Sequence, residues 1–261
     1  MKIFDSHIHY FGYSFDDFQN IIESSKYKDI FLGYKAISRK SLSIDEHIQK
    51  MSGGFVMPYC IKETNVNSAN LHLLSFFQNI EVPEWYAVPF ISWDLNKYVQ
   101  FPRTIGMKEH FYLHNGFEWQ NREDNYRYLN DHHLLLIIHS ENLSRIDYLK
   151  FLATRYPEMY IQVAHLGSFR NCDAATKLVI DELAVFPRIY FDISTVFDPE
   201  LIKYAQNKVN NRVLFGTDVP YISCDKTNEY LNMLASINFD SEQLSCVLYE
   251  NARELVEKII S

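Results

Sequence analysis

The chain has 261 residues, 47% hydrophobic and 22% charged, which excludes a disordered or fibrous chain and suits one barrel-sized domain, typically about 250 residues. A formal net charge of −8 without a dense Lys/Arg run argues against nucleic-acid phosphates as the partner, and Cys60, Cys172, Cys224 and Cys246 are too scattered for a disulfide scaffold. No apolar run approaches the ~20 residues that span a bilayer, and MKIFDSHIHYFG lacks a basic stretch followed by an apolar one, so a cytoplasmic protein without a membrane partner is expected.

Short β-branched and aromatic runs alternate with helical-period segments along the chain. The strands expected in order are Ile3–His7, Gly54–Tyr59, Trp85–Ile91, Thr104–Lys108, Leu134–His139, Tyr160–His165, Ile189–Ile193 and Val213–Gly216. Runs such as LLLII before His139 are apolar throughout, as strands covered on both faces are. Helices are expected over Ser43–Met51, Asn67–Gln78, Trp119–Asp131, Leu143–Arg155, Asp173–Val185, Pro199–Asn207, Thr227–Ala235 and from Ser241 to Ile259. Ser43 and Glu46 have capping-box spacing. The stretch from Tyr10 to Arg39 exceeds an ordinary strand-to-helix connection and is expected to fold over a site; the basic run Lys35 to Lys40, with Lys35, Arg39 and Lys40, reads as solvated loop. With no linker or repeat, residues 1–261 read as one domain.

This alternation fits a parallel sheet, either doubly wound or closed into a single (β/α)8 TIM barrel. The polar residues favour the barrel. His7, Lys108, His139, His165 and Asp218 all stand at or just past the C-terminal end of an expected strand. In a barrel those ends share the rim where active sites form; an open sheet would spread them along an edge.

The first strand ends Asp5-Ser6-His7-Ile8-His9. Strand alternation places Asp5, His7 and His9 on one face, and imidazoles two residues apart, ~7 Å at the backbone, can lean onto one cation. Asp218, emerging from RVLFGTD, is a carboxylate that needs a partner near a buried strand, and a cation supplies one. His47 and His72 fall in expected helices and read as surface residues; His132 and His133 precede the fifth strand, at the far rim. His110 and His114 follow the fourth strand and could reach the mouth.

The ordered set FDSHIH, IIHSEN, VAHLGS and FGTDVP, with YFDIST and LYENARELV behind it, resembles the amidohydrolase superfamily, closest to its amidohydrolase-related branch (amidohydrolase family 2), from residue 3 to 256. The resemblance implies a divalent metal on His7, His9, His139 and Asp218, with His165 and Asp218 catalytic and Asp5 behind the ligands. Zinc is the first choice of metal; manganese, iron and cobalt suit the same ligands. One ion is expected, or two if Lys108 is carboxylated. Lys108 is otherwise read as a positive side chain in the pocket, Arg170 as an anion clamp, and Tyr10, Phe11 and Phe169 as pocket walls. A homodimer is compatible with the resemblance.

The leading expectation is hydrolysis of a C–O or C–N bond (ester, lactone or amide) of a small molecule by metal-activated water. The alternative is metal-dependent, non-oxidative decarboxylation of an aromatic or enoic acid. A TatD-type DNase ranks lower, because those enzymes place a glutamate where Lys108 stands and the acidic balance opposes phosphate binding. A non-catalytic barrel ranks lower too, because clustered polar groups at one rim are costly unless used.

Overall fold

The apolar runs form parallel strands in the computed structural model, which describes residues 1–11, 44–60, 64–79, 83–91, 98, 100–110, 119–139, 145–167, 173–220 and 226–261. In chain order the elements are β1 (Phe4–Tyr10), α1 (Asp45–Lys50), β2 (Gly53–Pro58), α2 (Val66–Asn79), β3 (Trp85–Ala87), β4 (Gly106–His110), α3 (Trp119–Asp131), β5 (Leu135–His139), α4 (Ile146–Arg155), β6 (Tyr160–Val163), α5 (Asp173–Leu183), β7 (Ile189–Asp192), α6 (Pro199–Val209), β8 (Val213–Leu214), α7 (Thr227–Ser236) and α8 (Ser241–Ser245). From α8 the chain passes through a π-helical turn, Cys246–Glu250, into α9 (Asn251–Ile260). No helix among the described residues is long and apolar enough to cross a membrane.

The strands make two all-parallel sheets, β1-β2-β3 and β4-β5-β6-β7-β8. Their edges approach each other on both sides. Ala87 and Phe90 bridge to Thr104 and Lys108, and Ile8 bridges to Val219. Beyond β8, Ser6 N donates to Phe215 O at 2.9 Å and Asp218 N to His7 O at 2.8 Å. The fold is α/β with a TIM-barrel-like arrangement of its two sheets.

Strand alternation sorts the side chains into two layers. One face of the strands carries Phe4, Phe55, Met57, Leu135, Ile137, Tyr160, Tyr190 and Leu214, which pack with Leu255 and Ile259 of α9 in one cluster. The other face meets the flanking helices, as where Ile138, Val163 and Phe191 join Leu149, Leu152 and Ile180. Continuing the first set by two residues replaces apolar side chains with polar ones: Ile137 gives way to His139, Tyr160 to Gln162, Tyr190 to Asp192. Apolar burial thus anchors one end of this face, and the C-terminal end is left for chemistry.

Two expectations about local structure change. The register of β1 against β2 shifts between Asp5 and Ile8. This bulge breaks strict alternation, so Phe4 joins the inner cluster while Asp5 bonds to His47 of α1 and does not share a face with His7 and His9. At α1 the N-cap is Ile44, with no side-chain cap, and Ser43 lies outside the described residues. The capping box forms instead at α8, where Asp240 and Gln243 bond reciprocally. The long segment after Tyr10 that was expected to cover the site also falls outside the described residues, in 12–43. Cys60 and Cys246 are free thiols; Cys172 and Cys224 are not among the described residues.

Gly216, just beyond β8, permits the closest approach to β1. A Cβ there would stand 2.9 Å from the Cβ of His7 and 3.2 Å from that of Ser194. Gly216→Ala is therefore expected to overpack this junction and destabilise the protein by about 1–3 kcal/mol in urea unfolding. An unchanged midpoint would contradict this packing.

Candidate metal centre

The site is organised around Asp192, the last residue of β7, which is fully buried. Its Oδ2 accepts from His7 Nδ1 at 2.9 Å and from Gln162 Nε2 at 2.7 Å. Its Oδ1 accepts from His165 N at 2.9 Å, from Ser194 N at 3.1 Å and from the Ser194 hydroxyl. Burial acts to raise the Asp192 carboxyl, but His7, His165 and Ser194 outweigh it and hold it below the ordinary carboxylate range. The sequence reading passed over this residue. The signal was present, because a lone carboxylate closes the apolar strand IYFD just as His139 closes LLIIH.

Asp192 fixes the tautomer of His7. A neutral ring that donates from Nδ1 presents a lone pair at Nε2, and that atom is buried without a hydrogen-bond partner. It lies 3.5 Å from Asp218 Oδ1; His9 Nε2 lies 3.1 Å from the same oxygen. His9 Nδ1 is 3.4 Å from Pro58 O, which can only accept. The ligand-type atoms of His7, His9 and Asp218 all lie within 4.8 Å of one another. Ligands held ~2.0–2.2 Å from one tetrahedral ion stand roughly 3.3–3.6 Å apart, close to the two measured separations. His7 Nε2, His9 Nε2 and an Asp218 oxygen converge at these separations, so the donor set fits a divalent metal.

His7, His165 and Asp192 form a second cluster of the same size. It is the poorer metal site, since His7 Nδ1 and four other donors already occupy the Asp192 carboxylate.

The backbone at two of these residues is strained. His165 has φ 56° and Asp218 φ 64°, the left-handed region that side chains other than glycine's rarely adopt. At β6 the turn runs on through Leu166 and Gly167, also left-handed, and ends the strand at Val163, short of the expected His165. His165 Nδ1 is 3.0 Å from Ser194 O. A carbonyl only accepts, so a neutral His165 keeps its proton on Nδ1 and offers a lone pair at Nε2. That atom is 3.0 Å from His139 Nδ1. His139 therefore reaches the centre through His165; it is not in the His7–His9–Asp218 cluster. His110 extends the row, stacked flat on His139 with ring centroids 4.1 Å apart.

Charge follows burial. Burial and the neighbouring Lys108 push His7 down to about 4, and burial with His165 and Lys108 pushes His139 well below the ordinary imidazole value. Both rings are neutral at pH 7, as metal ligands must be. Burial would raise Asp218, but His9, His165 and His7 hold it below the usual carboxylate range. Burial lowers Lys108 to about 8 against the pull of Asp192 and Asp218. Lys108 is fully buried, and its Nζ has no hydrogen-bond partner. Glu109 beside it points away and pairs with Arg122 at 3.0 Å and with the Tyr126 hydroxyl.

Asp5 lies behind the candidate ligands, and several other residues stand elsewhere than expected. Asp5 touches no candidate ligand's ring. It holds His7 N at 3.1 Å, Thr217 N at 3.0 Å and the Thr217 hydroxyl at 2.6 Å, tying β1 to the residue before Asp218. His47, read as a surface residue, is buried and meets Asp5 Oδ2 at 2.8 Å. Tyr10, expected in the pocket, alternates away from His9 and stacks on Phe76 of α2 in the outer layer. Phe11 stacks on Tyr59, whose ring meets His9 edge-on at 6.1 Å. His72, His132 and His133 are exposed. Arg170, Phe169 and His114 lie outside the described residues.

Residues 99–258, more than half of the chain, match the amidohydrolase family Amidohydro_2. The chain belongs to that family. No curated protein matches it. Among solved structures, an amidohydrolase from Burkholderia multivorans with bound zinc is 14% identical with a TM-score of 0.71, covering 98% of this chain and 99% of that one. The 2,6-dihydroxybenzoate decarboxylase from Rhizobium is 12% identical with a TM-score of 0.70, over 98% and 99%. The 5-carboxyvanillate decarboxylase from Novosphingobium aromaticivorans, complexed with manganese, is 11% identical with a TM-score of 0.75, over 98% and 96%. These likenesses share the fold. With the clustered ligand set and the family, they make this amidohydrolase-family chain a metal-dependent enzyme.

The neutral histidines have a consequence for acid stability. His7 ionises near 6.5 in the unfolded chain and near 4 in the folded one, so between those values the unfolded chain binds more protons. Stability is retained above pH 6.5 and lost as pH falls towards 4. The melting temperature of the metal-free protein should decline across that window, and a flat profile would contradict the buried neutral ring.

Proposed function

We propose that residues 1–261 form a single closed (β/α)8 barrel that holds one divalent cation, zinc in the first instance, on His7, His9 and Asp218 at its C-terminal rim, with His139 reaching that centre through His165. The substrate is a small ring compound bearing a carboxylate, and non-oxidative decarboxylation is the better supported reaction. The edge bridges between the sheets support closure. Two decarboxylases of aromatic acids that share this fold support the reaction. The observation that carries the substrate class is Lys108, a fully buried amine with no hydrogen-bond partner, within electrostatic reach of Asp192 and Asp218. A buried positive charge beside a cation site favours an anionic substrate.

A divalent cation bound there supplies Lewis acidity to an oxygen of the substrate. The chain's own groups do the rest. In decarboxylation the bond from ring carbon to carboxylate breaks, carbon dioxide leaves, and the electron pair left on the ring carbon takes a proton. Asp218 rests ionised, so it first collects that proton from solvent or substrate and then delivers it. His165 bonds Ser194 O through Nδ1, which leaves Nε2 as the nitrogen that can accept a proton. Asp192 keeps His7 oriented, and Asp5 keeps β1 and Thr217 in register.

Hydrolysis is the second reading. It is favoured by the ionised state of Asp218, which suits a base that takes a proton from attacking water and returns it to the leaving oxygen or nitrogen. Release of carbon dioxide from 2,6-dihydroxybenzoate without net water uptake supports decarboxylation, and opening of a carboxylated lactone supports hydrolysis. Asp218→Asn should lower turnover by roughly a hundredfold or more while leaving the circular dichroism unchanged. Undiminished turnover would remove Asp218 from the mechanism.

A further inference from the structure

α1 carries an imidazole where its pattern calls for an apolar side chain. Ile44, His47, Ile48 and Met51 follow the i, i+3, i+4, i+7 spacing of a buried helix stripe, and all four are buried. The three apolar members pack with Ile8 of β1 and Val56 of β2 in one cluster. His47, 1% exposed, stands in the same stripe and meets Asp5 Oδ2 at 2.8 Å through Nε2. A leucine would serve the packing, and a buried polar ring costs free energy unless its hydrogen bond is made.

Asp5 is fully buried and accepts from four donors. Oδ1 takes His7 N at 3.1 Å and Thr217 N at 3.0 Å, and Oδ2 takes the Thr217 hydroxyl at 2.6 Å and His47 Nε2 at 2.8 Å. A carboxylate oxygen only accepts, so His47 carries a proton on Nε2 and donates it. Three of these donors belong to the two segments that bear candidate ligands, on His7 itself and on Thr217, the neighbour of Asp218. His47 is the donor that comes from another element. The two segments also bond directly, Asp218 N to His7 O at 2.8 Å, and in this arrangement His7 Nε2 stands 3.5 Å from Asp218 Oδ1.

We propose that His47 is a positioning residue of the metal centre, acting through Asp5. Its N–H fixes the rotation of the Asp5 carboxylate. The carboxylate fixes the amides of His7 and Thr217, so that the ligand atoms of His7 and Asp218 keep a separation that suits one divalent ion. His47 itself is remote from the ligand atoms and acts only through this chain of bonds. Without its proton, Oδ2 keeps only the Thr217 hydroxyl, and the carboxylate can turn about its Cβ–Cγ bond at the expense of both amide bonds. The inference rests on the proposed metal site at His7, His9 and Asp218 and is independent of the reaction performed there.

The test is cobalt(II) binding to the metal-free protein, read by competitive chelation and by visible absorption, whose bands follow the geometry of the bound ion. Cobalt suits the same ligands as zinc. Wild type is compared with His47→Leu, which fills the space without a donor, and with His47→Gln, whose amide returns an N–H near the place of Nε2. Thermal melts of the metal-free proteins show which variants are folded. The expected result is one ion on the wild type, roughly tenfold weaker binding with altered bands in His47→Leu, and wild-type bands and affinity in His47→Gln. A role in packing alone would leave the cobalt bands and affinity of a folded His47→Leu unchanged, and that outcome overturns the proposal. A His47→Gln variant as impaired as His47→Leu overturns it too. If His47→Leu does not fold, His47→Gln decides alone: a wild-type centre upholds the donor role and a weakened one overturns it. A wild type that takes up no cobalt overturns the metal site and this proposal with it, whereas a wild type that binds cobalt beside an unaltered His47→Leu overturns this proposal only.

Discussion

The hydrogen bond from His7 Nδ1 to the Asp192 carboxylate is the interaction on which the site depends. It sets which nitrogen of His7 carries the proton, and so which nitrogen can face a metal. The same carboxylate gathers Gln162 from β6, the His165 backbone beyond β6 and Ser194 beyond β7. One buried anion thus links β1, β6 and β7 at their C-terminal ends. A carboxylate buried this deeply persists only when its lone pairs are met, and here five donors meet them.

Asp5 does comparable work one step away. It draws the amides of His7 and Thr217 and the ring of His47 onto one carboxylate, which brings Asp218 against β1. Gly216 makes that approach sterically feasible. Asp218 and His165 are then held in left-handed backbone, so the chain keeps two side chains of the candidate site in conformations that the surrounding bonds have to enforce. Residues far apart in sequence become a single centre because each strand in turn exchanges an apolar side chain for a polar one at the same end.

That exchange is why so much of the fold and the site is legible in the sequence. A polar residue closing an apolar run locates His7, His139 and Asp218 without reference to neighbours, and the alternation of strands and helices indicates the parallel architecture. The same rule applied to IYFD finds Asp192. What escapes it is three-dimensional in origin. The bulge that turns Asp5 outward leaves no mark on the DSHIH pattern, and the sequence cannot show that Asp5 reaches back to bury His47 on α1. Tyr10 looks like a pocket wall by nearness to His9 alone, yet adjacent residues on a strand face opposite ways and Phe76 stands on the other side. The strand at Lys108 also runs on to His110, which sets Lys108 inside the sheet and lets His110 stack on His139 at the rim.

The central claim is that Asp192 orients His7 so that His7, His9 and Asp218 hold one metal ion. Metal content and affinity, measured by mass spectrometry and competitive chelation on the wild type and on Asp192→Asn, test it most directly. The account predicts about one ion per wild-type chain and an affinity roughly 10–100-fold weaker in Asp192→Asn, whose amide cannot accept as the carboxylate does. A wild-type protein that takes up neither zinc nor manganese, or an Asp192→Asn variant that binds as tightly as the wild type, would contradict it.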